Sequence, residues 1–292
     1  MDISFFNLDF TPNPQFARFP FIYDGREVPG VSCGISSRSA GSMANLNLVR
    51  PEAAPCIEHE TAFHAYSGEK PNSHRERLFR SLGLDPALVY ACAQVHSRTV
   101  VEVDRLSPRN GPEADGMTGA DAGLTLSVTV ADCLPVFLFD TRTGASGLVH
   151  SGWKGTGIVL EALGLMQARR HTRPEEVAAV LGPCIQGCCY RVDEERARSF
   201  EAEFGGSDGG FPLGPVIRER ADLPGGPGFS LNLQAANARL LANAGVRNIA
   251  VCRDCTFTDE RLGSFRREGA QSYTRMVALL GASQTCGFLH QN

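Results

Sequence analysis

The apolar residues of this chain fall into short blocks, and their spacing shifts between a period near two and a period near 3.6. Val128–Ala131, Val136–Phe139 and Ala145–Val149 are β-prone blocks, with turn chemistry in Asp140-Thr-Arg-Thr-Gly144 between the last two. They predict three strands, the third ending at His150. Val31–Leu48 predicts a strand followed by a polar loop, and Leu88–Ala93, Thr99–Val103, Val177–Leu181 and Val246–Cys252 predict further strands. A capping box at Ser73-x-x-Glu76 precedes Leu78, Phe79 and Leu82, which predicts a short helix stopped by Gly83. Further helices are expected after Gly155 to about Arg170, from Asp193 through Ala197, Phe200 and Phe204, and through Leu233, Ala236, Leu240, Leu241 and Ala244 to Gly245. Ala114-Asp-Gly116 and Asp121-Ala-Gly123 read as punctuation between elements. Strands and helices do not strictly alternate, which favours an α+β fold over a doubly wound sheet.

Two regions lack either period. The first thirty residues are rich in Phe and Pro and predict extended chain wrapping the body. Gly205–Phe229 holds eight glycines and four prolines, the composition of a long mobile surface loop. No internal repeat is visible.

Composition narrows the class. A net charge of −4 over 292 residues, with mixed signs, predicts no nucleic-acid or membrane partner. No run approaches the roughly 18 apolar residues of a membrane span. The N-terminal stretch has neither a basic start nor an unbroken apolar core, so a cytoplasmic location is expected. Of the ten cysteines, Cys33, Cys92, Cys252 and Cys286 sit among apolar residues, as reduced core thiols do. Cys184/Cys188/Cys189 and Cys252-x-x-Cys255 each offer half of a zinc site, but neither has a matching pair at the usual spacing, and buried thiols are the expectation.

Three transition-metal ligands stand at expected strand ends: His96, Cys133 and His150. Two imidazoles and a thiolate suit zinc and leave the fourth tetrahedral position open. Spacings of 37 and 17 residues do not establish convergence, and two core-edge histidines with a buried thiol remain the alternative. Asp132, Pro135 and Gly152-Trp-Lys-Gly155 continue the flanking strands poorly, which points to something other than packing.

Gln94-Val-His96, Ala131-Asp-Cys133-Leu-Pro135 and His150-Ser-Gly-Trp-Lys-Gly155 resemble motifs of the laccase-domain proteins. That family, formerly called multicopper polyphenol oxidases, is better described as purine nucleoside phosphorylases of the YfiH/YlmD type. Ala114-Asp-Gly116, Leu181-Gly-Pro183, Cys255-Thr-Phe-Thr258 and Ser264-Phe-Arg-Arg267 extend the likeness over roughly residues 31 to 280. The resemblance implies a single-domain, layered α/β/β/α fold with mixed sheets, and Zn2+ held by His96, Cys133 and His150. It also implies phosphorolysis of adenosine, inosine, guanosine or methylthioadenosine, together with adenosine deamination. Glu268 stands where the family commonly has Asp, and Gly205–Phe229 matches nothing in the pattern.

Within that frame, Arg38, Arg75, Lys154 and Arg266 are cations in motif-like loops able to hold phosphate, or surface and structural charges. Asn45 binds a sugar hydroxyl or closes its own turn. Asp132 shuttles a proton or orients a ligand. The usual zinc-deaminase signature is not met, since the cysteine after Pro183-Cys184 falls one residue too far. Seven histidines and no His-x-His pair are too few for a multicopper centre, which argues against polyphenol oxidation. Two other classes stay open: an amidase editing cell-wall precursors with Cys133 as nucleophile, and a non-catalytic partner protein with a structural zinc.

Overall fold

Leu134–Asp140 is buried at every position, without the alternation of a strand that faces water. Its side chains still alternate, but between two cores. Leu134, Val136 and Leu138 belong to one and Phe137 and Phe139 to the other. A strand covered on both faces needs such a continuous apolar run.

The computed structural model describes residues 1–43, 71–108, 110–121, 123–206 and 210–282. The first strands are β1 (Asp2–Phe6), β2 (Phe16–Phe19), β3 (Ile22–Tyr23), β4 (Arg26–Glu27) and β5 (Val31–Ser36). Then come β6 (Val89–Ala93), β7 (Val100–Glu102), β8 (Asn110–Glu113), β9 (Gly116–Gly119), β10 (Thr125–Val130), β11 (Leu134–Asp140) and β12 (Ser146–Ser151). The last are β13 (Val177–Leu181), β14 (Arg191–Val192), β15 (Ile217–Arg220), β16 (Gly228–Leu231), β17 (Asn248–Cys252) and β18 (Met276–Ala282). The helices are α1 (Pro71–Ser81), α2 (Ile158–Arg170), α3 (Glu194–Phe204), α4 (Leu233–Asn243) and α5 (Phe265–Glu268).

Two mixed sheets carry the fold. The first is ordered β1-β17-β13-β11-β12-β9-β7 and the second β2-β5-β18-β10-β6-β8. Phe137, Phe139 and Leu148 from the first meet Ile35, Leu126, Val128 and Leu280 from the second in a shared core. Helices α2, α3 and α4 pack their apolar faces on the outside of the first sheet, through Leu163, Phe200 and Leu241. Leu78 and Phe79 of α1, with Leu82 just after it, close the outside of the second sheet against Val277 and Leu279. The result is the layered α/β/β/α arrangement of an α+β protein. No helix among the described residues is long and apolar enough to cross a membrane.

Several expectations need correction. Residues 1–30 do not merely wrap the body: β1 pairs in parallel with β17 and β2 antiparallel with β5. Their phenylalanines explain this, since Phe16, Phe19 and Phe21 are buried. Part of the Gly/Pro-rich stretch is strand, because β15 and β16 join β14 in a small antiparallel sheet. Val216, Ile217 and Leu231 there are buried against the main core. Helix α1 starts at Pro71, two residues before the expected Ser73, where proline costs no helical hydrogen bond. Gly116 opens strand β9 rather than a loop, and β18 was not anticipated at all.

Candidate active site

The chain leaves the second sheet at Val130 and enters the first at Leu134, so Ala131-Asp132-Cys133 is a bridge between sheets. Asp132 makes the turn with a φ of 85°, a left-handed conformation that few non-glycine residues adopt. It is held there by both carboxylate oxygens. The Thr256 hydroxyl donates to Oδ1 at 2.6 Å, and the Arg266 backbone N–H donates to Oδ2 at 2.6 Å. Asp132 thereby ties the bridge to α5.

Pairing of β11 with β12 sets Leu134 opposite Ser151 and Pro135 opposite His150, which carries Cys133 toward Gly152. A Cβ at Gly152 would stand 3.0 Å from Cys133 Sγ and 3.3 Å from His96 Cδ2. The missing side chain is what leaves room for the donors to meet. His96 arrives from the loop after β6, also with a positive φ, 61°. That loop is wound around one buried carboxylate. The backbone N–H groups of Val95, His96 and Ser97 donate to Asp115 at 3.1, 3.0 and 2.6 Å, and the Ser97 hydroxyl adds a bond at 2.9 Å. Asp115 Oδ1 also lies 2.8 Å from His150 Nδ1. One side chain thus orients the His150 imidazole and holds the backbone of His96, and its bond at Nδ1 leaves Nε2 of His150 as the donor atom.

The donor atoms of His96, Cys133 and His150 lie within 4.8 Å of one another. The two imidazoles meet edge to face, with centroids 4.9 Å apart. Burial alone would push the Cys133 thiol up, but His150 and His96 more than reverse it and bring it to about 6. Burial pulls His150 down, yet Cys133 and Asp115 outweigh it and hold the imidazole at about 9. Asp115 is pushed up by burial and brought back down to about 2 by His150 and Ser97. Two imidazoles, a thiolate-prone cysteine and a clear space at Gly152 fit a tetrahedral zinc with one open position.

In front of the donors lies a pocket of about 380 Å³. Trp153, Tyr190, Phe265 and Tyr273 give it aromatic walls, and Arg196, Arg266 and Arg275 give it charge. The arginines are stacked in place. Arg196 sits 4.3 Å over Trp153, Arg266 5.3 Å over Tyr190 and Arg275 5.1 Å over Tyr273. Arg266 also donates to the Arg191 carbonyl at 2.8 Å. Phe265 and Tyr273 pack edge to face at 5.0 Å.

Asp132 and Arg266 therefore join the donors, and three other expected residues do not line this pocket. The Arg38 guanidinium lies 3.6 Å from Glu268 and lines a separate groove with Pro14 and Arg261. Lys154 is exposed, with Nζ 5.5 Å from the Trp153 ring. Arg75 is buried on α1, where desolvation pulls its guanidinium down to about 10. Asn45 lies outside the described residues. Sequence reasoning missed Asp115, Arg196, Arg275 and the aromatic walls. Asp115 had a signal as the middle residue of Ala114-Asp-Gly116, and Trp153 and Phe265 stood inside Gly152-Trp-Lys-Gly155 and Ser264-Phe-Arg-Arg267, whereas Arg196, Arg275, Tyr190 and Tyr273 had none.

The family described as multi-copper polyphenol oxidoreductase laccase matches residues 65–283. Purine nucleoside phosphorylase YlmD of Geobacillus stearothermophilus is 32% identical over 225 residues, 72% of this chain and 77% of that protein. A purine nucleoside phosphorylase of Corynebacterium glutamicum is 35% identical over 202 residues, 68% of this chain and 76% of its own. The crystal structure of YlmD from G. stearothermophilus superposes with a TM-score of 0.70 at 26% identity, covering 92% of this chain and 97% of that one. The crystal structure of a Bacillus licheniformis hypothetical protein YfiH shares the fold at 22% identity, with a TM-score of 0.71 and 94% and 98% coverage.

Proposed function

The chain belongs to this laccase-domain family of the YfiH/YlmD type, and from that premise we propose that it is a zinc-dependent purine nucleoside phosphorylase that also deaminates adenosine. The observation that carries the proposal is the placement of three metal donors at the floor of a pocket walled by aromatic rings and arginines. The rings suit a purine, and the arginines suit a phosphate.

His96, Cys133 and His150 would hold the zinc. Zinc bound there supplies a Lewis acid that stabilises negative charge and makes water more acidic. The side chains do the rest. Trp153, Tyr190, Phe265 and Tyr273 bind the flat base and keep water from it. Arg266, with Arg196 and Arg275 beside it, holds phosphate against the sugar, and stacking on rings limits the rotamer entropy lost when they grip it. In phosphorolysis a phosphate oxygen forms a bond to C1′ of the ribose while the C1′–N9 bond breaks. The departing purine takes the bonding electron pair and a proton, which leaves free base and ribose 1-phosphate. In deamination water adds its oxygen to C6 of adenosine and ammonia departs, giving inosine. Asp132 keeps α5, and with it Arg266, at fixed height over the donors.

Polyphenol oxidation is not favoured by the donor set. Seven histidines without a His-x-His pair cannot build several copper centres, and only His96 and His150 converge among the described residues. The Asp115–His150–Cys133 chain also has the form of a thiol nucleophile with an oriented base, as an amidase would need. Convergence of His96 on the same sulfur and the clearance at Gly152 favour the metal.

The test is product analysis. Zinc-loaded protein is incubated with inosine and with adenosine, with and without inorganic phosphate. Hypoxanthine and ribose 1-phosphate should form from inosine only when phosphate is present, and inosine should form from adenosine without it. A fully zinc-loaded preparation that releases no base at any phosphate concentration would overturn the phosphorolytic reading.

A further inference from the structure

A second set of cysteines gathers away from the pocket. Spacing left Cys188-Cys189 and Cys255 without matching partners, and the fold supplies them across the chain. Cys184 and Cys255 form a parallel backbone bridge beyond the ends of the neighbouring strands β13 and β17. A turn closed by Cys189 and Tyr190 N–H groups donating to the Gln186 carbonyl then folds Cys188 and Cys189 back over Cys255. The three Sγ atoms lie within 4.8 Å of one another, and those of Cys188 and Cys189 are 3.3 Å apart. Cys184 and Cys252 stay out, each buried in an apolar core.

We propose that Cys188, Cys189 and Cys255 form a second metal site, for a thiophilic d10 cation, Zn2+ or Cu+. A metal–sulfur bond of about 2.3 Å sets neighbouring sulfurs a little under ~4 Å apart, so one ion can reach all three with small side-chain adjustments. The group contains no carboxylate or imidazole, which disfavours the hard cations. The Gln186 N–H donates to Cys255 Sγ at 3.4 Å, a bond that stabilises a thiolate. Cys188 is exposed and lines a cavity of about 290 Å³, which gives an ion a way in. Arg218 and Arg220 line the same cavity and offset the charge of three thiolates.

The site is a staple for the pocket next to it. Tyr190, a wall of the pocket, follows Cys189, and Thr256, which holds Asp132, follows Cys255. An ion on the three sulfurs joins the 186–190 turn to the segment after β17 and fixes both residues.

The test uses the full chain, stripped of metal and kept reduced, and titrated with Co2+ as a spectroscopic probe. The Cys133→Ala protein, which has no thiolate at the first site, should take up cobalt with a thiolate charge-transfer band in the near ultraviolet. Adding Cys188→Ser should abolish that band without changing far-ultraviolet circular dichroism, because Cys188 is exposed and its replacement spares the core. Zn2+ and Cu+, added in separate arms, should displace the cobalt, and the ion effective at the lower free concentration is the preferred one. The proposal fails if Cys133→Ala shows no such band, or if the band survives Cys188→Ser. It also fails if non-reducing mass analysis finds Cys188 and Cys255 joined as a disulfide that takes no metal after reduction. None of these readouts depends on turnover, so they stand apart from the nucleoside reading.

Discussion

Two groups of three donors occur among the described residues, each within 4.8 Å, and they are built in opposite ways. His96, Cys133 and His150 come from two sheets that meet at a rim, and a buried carboxylate behind them orients the His150 ring and holds the His96 backbone. Cys188, Cys189 and Cys255 come from one turn and the segment after β17, and a backbone amide stands behind them. The first group faces aromatic walls and arginines, whereas the second only borders the elements that carry them. Convergent donors suffice for an ion. Chemistry on a purine needs, in addition, an open coordination position and a pocket that holds the substrate in line with it.

The sharpest way to break this contrast is to remove a donor from the first group. Cys133→Ala should lose zinc there and nearly all phosphorolysis and deamination, a larger effect than the roughly 10–100-fold cost of losing an outer partner. Elemental analysis beside product analysis checks it, and retained zinc with retained turnover would remove the basis of the assignment. Asp115→Asn comes next. It weakens the acceptor for three N–H groups, a hydroxyl and His150, and should lower zinc affinity or turnover by roughly 10–100-fold. Competition with a zinc chelator reads that directly, and no comparable change is expected at the three-cysteine group.

Arg266→Ala should raise the KM for phosphate by about tenfold or more, given about 1.5–3 kcal/mol for a hydrogen bond to a charged group. Zinc content should stay unchanged, and an unaltered KM would move the phosphate to Arg196 and Arg275. Asp132→Asn places an amide against two donors, the Thr256 hydroxyl and the Arg266 N–H, so at least one bond is lost. The expected cost is about 1–3 kcal/mol of stability, read by chemical denaturation. Adenosine deamination and inosine phosphorolysis should fall together with zinc retained. A loss confined to deamination would favour the proton-shuttle role. The smallest effect is expected from Arg38→Ala. Its half-exposed ion pair with Glu268 at 3.6 Å contributes about 0–1 kcal/mol, and the phosphate KM should stay within about twofold.

Local signals carried much of the fold. Asp193 caps α3 by accepting from the Arg196 N–H, and Ala197, Phe200 and Phe204 form its buried face as their spacing predicts. Helix α2 ends at Arg170 as expected. The misses have physical causes as well. Strand β18 sits in the middle of the second sheet with Met276, Ala278 and Leu280 in one core and Val277 and Leu279 in another. Covered on both faces, it has no polar alternation to announce it. Strands β15 and β16 are hidden among glycines and prolines that signal turns more strongly than strands.

The sequence by itself determined which residue types were on offer and the approximate place of the central strands. It set His96, Cys133 and His150 near the ends of those strands, and ordered motifs linked them to a known family. Only the tertiary structure decided which cations serve the pocket and which carboxylate serves the donors. The two bonds that hold Asp132 span 124 and 134 residues of chain. Cys188 and Cys189 meet Cys255 across 67 and 66 residues of chain, through the pairing of β13 with β17. Hydrophobic period and turn chemistry report on neighbours within a few residues, because that is the reach of a helix turn or a pleat. A contact made by packing two sheets leaves no such local trace, and so it appears only once the layers are closed.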